Sequence, residues 1–313
     1  MTRGPDRRAF LGGTLAMPLA AQAKARQEAG TRPYVLPFAS VVPLHSAING
    51  IAYELYVRVP AAYDRSKRYP TVWTLDADYS FAIAANHLEH LADRQHIPEQ
   101  ILVSVAYAGI YPDRNRYQME RSRDYTPVYW PNVGYGPEFQ AHSGGAPAFL
   151  RMLAEEAIPL IERTFATDPA QRTLCGHSYG GLFGAWVLQA HPELFDRYLM
   201  VSPSLWYAEK LLLGREERRE FKPLARATRV WMGIGWWEEQ ASGGMVTDMK
   251  RFAALLAARG DAELSVEHKV FGDESHASIF PAAFSTGMRH LYPVDWLAAA
   301  VTPQQCGDGC VSP

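Results

Sequence analysis

The sequence predicts an α/β fold in which helices flank a mainly parallel central sheet. Strand-like segments alternate with helix-like segments along most of the chain, which is the order that a parallel sheet requires. Two of these segments, residues 70–75 and 101–106, are nearly continuous apolar runs, as expected of strands buried on both faces. No internal repeat or break in composition divides the 313 residues, so we expect one domain.

The individual elements follow from their periodicity and from the turn residues between them. Residues 52–59 alternate apolar and polar side chains and end at Pro60, which indicates a strand with one solvated face. Residues 107–145 are polar, aromatic and arginine-rich without a clear period, so we expect a long, lid-like loop. The other strands are predicted at 35–42, 70–75, 101–106, 172–175, 198–202, 228–235 and 264–271, and the helices at 81–94, 146–165 (kinked at Pro159), 179–190, 245–259 and from 276 or 279 to about 290.

Composition excludes several classes of partner. The chain has 31 basic and 33 acidic residues, which provides no basic surface for nucleic acid or an anionic membrane. The histidines and three cysteines show no zinc-ligand spacing, so we expect neither a metal nor another cofactor. Cys175 is expected to be a small buried residue, whereas Cys306 and Cys310 could pair in an oxidising compartment. The sequence sets no oligomeric state.

The first two dozen residues have the form of an export signal. Arg7 and Arg8 precede Phe10 and a mildly apolar run, and residues 21–23 have the small-x-small form of a signal-peptidase site. This is the twin-arginine pattern, and the run is too short to span a membrane. We therefore expect a signal peptide at residues 1–23, the α/β domain at 24–300 and a flexible tail at 301–313, with a periplasmic or secreted product. A disordered basic N-terminus is the alternative.

A Gly-x-Ser-x-Gly motif centred on Ser178 predicts a nucleophile. A serine that attacks a carbonyl must stand clear of its sheet on a sharp strand-to-helix turn, and small residues at Gly176 and Gly180 permit that turn. A predicted strand precedes the motif, a predicted helix follows it, and Gly181 allows close packing. The alternative is a glycine-rich turn with an unreactive serine.

A serine hydroxyl needs an imidazole to accept its proton, and the best candidate is His276. His276 directly follows the last predicted strand, where catalytic groups of α/β sheets gather. His177 is expected to point away from Ser178 at the sharp turn. The remaining candidates lie within a strand, late in helices or in the long loop, at His268, His191, His290 and His142.

A carboxylate usually orients such an imidazole, and we select Glu238. It follows the strand at 228–235 and gives the chain order serine, acid, histidine, which is the order of the α/β-hydrolases. Glu239 is the first alternative, then Asp248, and then Asp273 or Glu274. A Ser–His dyad without an acid also stays open.

An oxyanion hole requires two main-chain N–H groups. One is expected from Tyr179, the residue after the nucleophile, and the other from Ala77 or Asp78 after the strand at 70–75. Asp76 and Asp78 could in addition cap the following helix.

Several of these segments together resemble a known family. The chain is similar, from about Tyr53 to Leu291, to the putative esterases of the esterase D type, especially the branch of enterobactin-type siderophore trilactone esterases. The resemblance implies an α/β-hydrolase fold with Ser178 as nucleophile and His276 as base. The matching segments are 75–78, 123–127, 143–150, 176–181, 202–206 and 274–276. Ala77 and the pair Trp236-Trp237 depart from the family pattern, and some siderophore esterases lack a functional acid.

We therefore expect an exported serine esterase whose substrate is a small-molecule ester. The aromatic and arginine-rich loop would suit an anionic aromatic ligand such as a ferric catecholate siderophore, since arginine pairs with charge and stacks on rings. A lid whose tyrosines pack on their own core is the alternative. The residues expected to contact substrate are Arg121, Arg123, Tyr125 and Trp206. Competing functions are a broad carboxylesterase, an acyltransferase like the mycolyltransferases, and a non-catalytic binding protein.

Overall fold

The computed structural model describes residues 32–109, 113–132, 134–241 and 243–294. Residues from Phe38 onward belong to one compact unit, and the few described residues before it belong to another. The predicted signal peptide and the predicted tail with Cys306 and Cys310 lie outside the described residues. No described helix combines the length and the apolar character needed to cross a membrane.

An eight-stranded sheet forms the centre, with the strand order β1-β2-β4-β3-β5-β6-β7-β8. β1 and β2 pair antiparallel, β2 also pairs antiparallel with β4, and all the remaining neighbours are parallel. The strands are β1 Ala39–His45, β2 Ala52–Arg58, β3 Tyr69–Thr74, β4 Ile101–Tyr107, β5 Thr167–His177, β6 Arg197–Val201, β7 Thr228–Gly235 and β8 Leu264–Phe271. The predicted α/β architecture with a mainly parallel sheet is confirmed.

The apolar runs of the sequence become the strands that are covered on both faces. Every residue of β3 and β4 is buried, and β2 alternates buried and half-buried side chains, as its sequence pattern indicates. The helices are α1 Ala77–Asp93, α2 Arg114–Asp124, α3 Pro137–Gln140, α4 Ala146–Met152, α5 Ile158–Thr164, α6 Tyr179–Ala190, α7 Tyr207–Glu217, α8 Glu238–Ala241, α9 Met245–Ala257 and α10 Phe280–Leu291.

Two groups of helices cover the sheet. α1 packs against α10, and α10 lies on β6 and β7. Gly287 permits this close approach, because a Cβ there would stand 2.1 Å from Leu199 Cδ1 and 2.6 Å from Trp231 Cε3. α6 lies on β5 and β6 and contacts α2 and α7, and α7 in turn contacts α9. The site therefore lies where helices of both groups begin, at the carboxyl ends of the parallel strands.

The structure differs from the sequence expectation in several elements. β1 is Ala39–His45 and not 35–42, and α7 is a helix that the sequence pattern did not predict. The expected loop at 107–145 contains α2 and α3, so it is a partly helical insertion. The helix expected at 146–165 is interrupted by a π-helical turn, Leu153–Ala157, which ends two residues before Pro159. Proline cannot donate the N–H that would continue a regular helix, which explains a rearrangement at this point. Finally, α1 begins at Ala77 and not near residue 81.

Candidate active site

Ser178 occupies a strained turn between β5 and α6. Its φ of 59° and ψ of −116° lie in a region that non-glycine residues rarely adopt. The surrounding main chain holds this conformation: Ser178 N–H donates to Val201 O at 2.9 Å, and its carbonyl accepts from Leu182 N–H at 2.9 Å. The strand, the sharp turn and the helix thus have the arrangement that the motif predicts.

The flanking glycines contribute unequally to this turn. A Cβ on Gly176 would stand 2.2 Å from Gly180 O. This clash is with the main chain, so no side-chain movement can relieve it. A Cβ on Gly180 would meet Leu75 Cδ1 at 3.4 Å, which is an ordinary contact. A Cβ on Gly181 would stand 2.9 Å from Pro203 Cα, so this glycine does permit close packing of α6. The steric requirement therefore lies at Gly176 and Gly181 more than at Gly180.

His276 and Glu238 form a short hydrogen bond. His276 Nδ1 lies 2.6 Å from Glu238 Oε2. The carboxylate is 1% exposed, and its other oxygen accepts from Ser202 Oγ at 2.7 Å and from Gly235 N–H at 2.9 Å. These two donors fix the carboxylate and leave Oε2 for the imidazole. Glu238 can therefore hold the tautomer that keeps Nε2 free to accept a proton.

The alternative acids have other partners. Glu239 accepts from Thr247 N–H at 2.9 Å, and Asp248 accepts from Lys210 Nζ at 2.7 Å. Glu274 accepts from Ser278 Oγ, and Asp273 is exposed. Among the described carboxylates that the sequence proposed, Glu238 is the one that the fold brings to His276.

Ser178 and His276 face the same two cavities. A cavity of about 380 Å³ is lined by both residues together with Tyr179, Ser204 and Trp206. Ser178 Oγ lies 3.4 Å from Ser204 Oγ, and Ser204 N–H also donates to Ser178 O at 3.2 Å. A second cavity of about 790 Å³ meets the first at Tyr135, Ser178 and His276. An ester carbonyl at Ser178 can thus extend one substituent into each cavity.

The larger cavity carries most of the charge. Asp78, Asp113 and Arg114 line it, along with the edge of Arg121. Trp206, Tyr179 and Met245 give the smaller cavity an aromatic and apolar wall. The pocket therefore offers an apolar side and a polar side on either side of the serine.

The expected oxyanion donors are at the starts of two helices. Tyr179 N–H is in the first turn of α6, and Ala77 and Asp78 N–H groups are in the first turn of α1. First-turn N–H groups have no acceptor within their own helix, so those of Tyr179 and Ala77 can donate to a ligand. The N–H of Asp78 also interacts with its own carboxylate. Asp78 lines the larger cavity and Tyr179 the smaller one.

Asp76 and Asp78 lie at the start of α1, and the side chain of Asp76 does not cap the helix. Asp76, with φ 60° and ψ 53°, is at the N-cap position but makes no side-chain cap hydrogen bond. Its carboxylate instead binds Arg121, whose Nε and Nη2 donate at 2.7 and 3.0 Å. Burial and the nearby Asp76 charge raise the pKa of Asp78 to about 6. Either protonation state of Asp78 is therefore accessible near neutral pH.

The arginines and aromatic residues expected to bind substrate occupy different environments. Trp206 is half-buried and lines the smaller cavity. Arg121 touches the larger cavity, but its guanidinium is committed to Asp76 and to the Tyr135 hydroxyl. Arg123 donates to Asp124 at 2.7 and 2.9 Å, and Tyr125 is 0% exposed. The structure brings Trp206 to the cavity but not Arg123 or Tyr125. Arg123 is paired with Asp124, and Tyr125 is fully buried in the core.

His177 is a residue of the site that sequence reasoning discarded. Its ring lies against the ring of His276, with centroids 4.6 Å apart and planes at 39°. Its Nδ1 lies 3.0 Å from Tyr79 Oη. Its position next to Ser178 is the signal in the sequence that could have indicated this, but the sharp turn wrongly predicts that the ring points out of the site.

The described part of the chain contains no cluster of side chains suited to bind a metal ion. No group of three or more His, Cys, Asp or Glu side chains is arranged there to hold a metal ion. Cys175 is fully buried, and its burial raises its thiol pKa above the ordinary range.

The strand order and the serine turn define the class of this protein as an α/β-hydrolase. The chain belongs to the family described as "Putative esterase", whose sequence model matches residues 46–259. This is the family that the sequence motifs predicted.

Named relatives and a solved structure extend the likeness to nearly the whole domain. The chain is 25% identical over 281 residues to the ferri-bacillibactin esterase BesA of Bacillus subtilis, which covers 86% of this chain and 95% of the relative. It is 30% identical over 291 residues to the siderophore enterobactin esterase of Emericella nidulans, covering 79% and 94%. The BES protein of Bacillus cereus superposes with a TM-score of 0.74 at 26% identity, covering 84% and 99%.

Proposed function

We propose that the protein is an exported serine esterase that hydrolyses carboxylic esters through an acyl-enzyme. The observation that carries this proposal is the 2.6 Å hydrogen bond between Glu238 and His276, in a cavity that His276 shares with the strained Ser178. A buried carboxylate, an imidazole and a turn serine that lines a cavity are the groups that acyl transfer requires.

The first half of the proposed reaction forms the acyl-enzyme. Ser178 Oγ attacks the ester carbonyl carbon while Nε2 of His276 takes the hydroxyl proton. The carbonyl oxygen becomes an oxyanion, which the N–H groups of Tyr179 and of Ala77 or Asp78 stabilise. The tetrahedral adduct then breaks its bond to the alcohol oxygen, and the imidazolium of His276 gives that oxygen its proton.

The second half repeats the chemistry with water. His276 takes a proton from water as the water oxygen attacks the acyl carbon, and the same N–H groups hold the second oxyanion. Collapse breaks the bond to Ser178 Oγ, which regains a proton from His276 and leaves a carboxylic acid. Glu238 stays ionised throughout and stabilises the imidazolium.

Siderophore esters are the substrate class that we propose. Two relatives bear the names of siderophore esterases and match most of their length to this chain. The two cavities, about 380 and 790 Å³, give room for a large polyester that has both aromatic and charged groups. Arg114 is the cation of the larger cavity, whereas Arg121 and Arg123 are neutralised by aspartates.

The proposed activity takes place outside the cytoplasm, after export by the twin-arginine route. Arg7, Arg8 and the small-x-small site at residues 21–23 support this route. Expression of the full chain and of the double variant Arg7→Lys, Arg8→Lys tests it. We expect activity in the periplasmic fraction for the first and retention in the cytoplasm for the second. Equal distribution of both would argue against this route.

A substrate panel with a fluorophosphonate probe tests the enzymatic proposal. Wild type should be labelled by the probe and Ser178→Ala should not, and wild type should cleave a trilactone siderophore faster than short p-nitrophenyl esters. Labelling of Ser178→Ala, or none of wild type, would exclude a serine enzyme. Brisk p-nitrophenyl turnover without trilactone cleavage would instead indicate a broad carboxylesterase.

A further inference from the structure

His177 connects the helix that carries the candidate oxyanion donors with the loop that carries the candidate base. It is the last residue of β5, directly before the nucleophile. Its ring lies against that of His276 in a tilted contact, with centroids 4.6 Å apart and planes at 39°, and it makes edge contacts with Tyr79 and Phe280 at 6.0 and 6.3 Å. His276 is thus contacted by Glu238 at Nδ1 and by the tilted ring of His177.

A hydrogen bond sets the orientation of the His177 ring. Nδ1 of His177 lies 3.0 Å from the hydroxyl of Tyr79, which is in the first turn of α1 two residues after Ala77. Nε2 is buried and makes no hydrogen bond of ordinary geometry within the described residues, while the main chain of His276 interacts with the ring. The ring is therefore held both from α1 and from the loop of His276.

The environment keeps this imidazole neutral. Burial lowers the pKa of His177 well below its ordinary value, and the charges of His276 and Arg121 lower it further, against a smaller opposing effect of the His276 main chain. The ring can therefore remain uncharged when His276 becomes an imidazolium during acyl transfer. A second imidazolium at 4.6 Å would repel it.

We propose that His177 is a positioning residue, which holds the imidazole of His276 toward Ser178 and Glu238 through its close, tilted ring contact. The inference rests on the proposed esterase function. Tyr79 fixes the His177 ring, the His177 ring fixes one face of His276, and Glu238 fixes its edge. These contacts thereby fix the relative positions of the start of α1, the turn at Ser178 and the loop of His276.

Turnover of a p-nitrophenyl ester by three variants tests this role and distinguishes the contribution of the ring from that of its nitrogen atoms. His177→Ala removes the ring, and we expect kcat to fall about 100-fold with KM changed less than about threefold, since a misplaced base costs roughly this much. His177→Phe keeps a ring of similar shape and should recover kcat to within about tenfold of wild type. Tyr79→Phe, which frees the ring to turn, should fall between the two.

His87→Ala is the matched control, because His87 also packs edge-on against a phenylalanine, Phe284, but lies outside both cavities. It should leave kcat unchanged. Proton NMR gives a second readout: the low-field resonance of the His276 to Glu238 hydrogen bond should persist in His177→Phe and broaden or vanish in His177→Ala.

The outcomes distinguish this inference from the proposed function. Absence of ester turnover in wild type would overturn both. Turnover in wild type with an unchanged kcat in His177→Ala would overturn the positioning role alone. If His177→Ala fails to fold, the Phe and Tyr79→Phe variants decide: a loss of kcat in His177→Phe as large as in Ser178→Ala overturns the role of the ring.

Discussion

Arg121 and Asp76 form a buried ion pair with two hydrogen bonds that joins two segments of the chain. Nε and Nη2 of Arg121 donate to the two carboxylate oxygens at 2.7 and 3.0 Å, and the side chains are 6% and 0% exposed. Asp76 directly precedes the candidate oxyanion donors of α1, whereas Arg121 belongs to α2 of the insertion. The pair thus fastens the insertion to the loop that carries the candidate oxyanion donors.

Removal of one partner should destabilise the protein strongly. We expect Arg121→Ala to lower the free energy of unfolding by about 3–5 kcal/mol, because Asp76 would remain buried and uncompensated. Urea denaturation followed by tryptophan fluorescence measures this. Arg151→Ala is the control, since Arg151 pairs with Glu155 at 2.9 Å on the surface, where solvent screens the pair and little stability should be lost. Equal losses in the two variants would contradict this account.

The strands and the helix next to the Gly-x-Ser-x-Gly motif could be predicted from the sequence, because they depend on local patterns of apolar and turn residues. β7, β8 and α6 have the predicted bounds, and Glu238 reaches His276 from the expected strand ends. Strand periodicity and chain order fix which ends of a parallel sheet meet, so candidate partners of Ser178 could be found without coordinates.

The roles of the arginines could not be predicted in the same way. Arg121, Arg123 and Tyr125 look like ligand-binding residues in a loop without a period, but they lie in and just after a helix whose charges are paired inward. The pairing partner of Arg121 is 45 residues away in the chain, and only the tertiary fold specifies it. The contact between His177 and His276 was missed for the same reason.

The two motif glycines should tolerate substitution unequally. Gly176→Ala would place a Cβ 2.2 Å from Gly180 O, and we expect an unfolded or inactive protein. Gly180→Ala would place a Cβ 3.4 Å from Leu75 Cδ1, and it should fold with a melting temperature near that of wild type. Thermal unfolding and probe labelling of both variants measure the difference. A stable, labelled Gly176→Ala protein would show that the turn can relax.

Asp78 should make the protein less stable as pH rises through the acidic range. Its folded pKa, about 6, lies above its ordinary value of 3.8, so the folded state binds more protons between these values and stability falls as pH rises. Asp78→Asn removes this dependence and should stabilise the protein above pH 6 while leaving it unchanged below pH 4. Urea denaturation across this range measures the effect.

Asp64 is the control for that experiment because its shift has the opposite sign. Hydrogen bonds from Ser66 lower the pKa of Asp64, so its contribution to stability is present above the ordinary value and is lost as pH falls. Asp64→Asn should therefore destabilise the protein at neutral pH and not at strongly acidic pH. Parallel curves for Asp78→Asn and wild type would show that Asp78 ionises normally.

Glu238 should matter for turnover far more than its neighbour. Glu238→Gln keeps an oxygen for Ser202 and Gly235 but removes the charge that stabilises the imidazolium of His276, so we expect kcat to fall by about 10⁴-fold. Glu239→Gln should change kcat less than about twofold, because Glu239 binds Thr247 and not the base. Steady-state kinetics on a p-nitrophenyl ester measures both. A Glu238→Gln rate close to wild type would mean that Ser178 and His276 act as a dyad, with Glu238 serving only to hold the strand ends together.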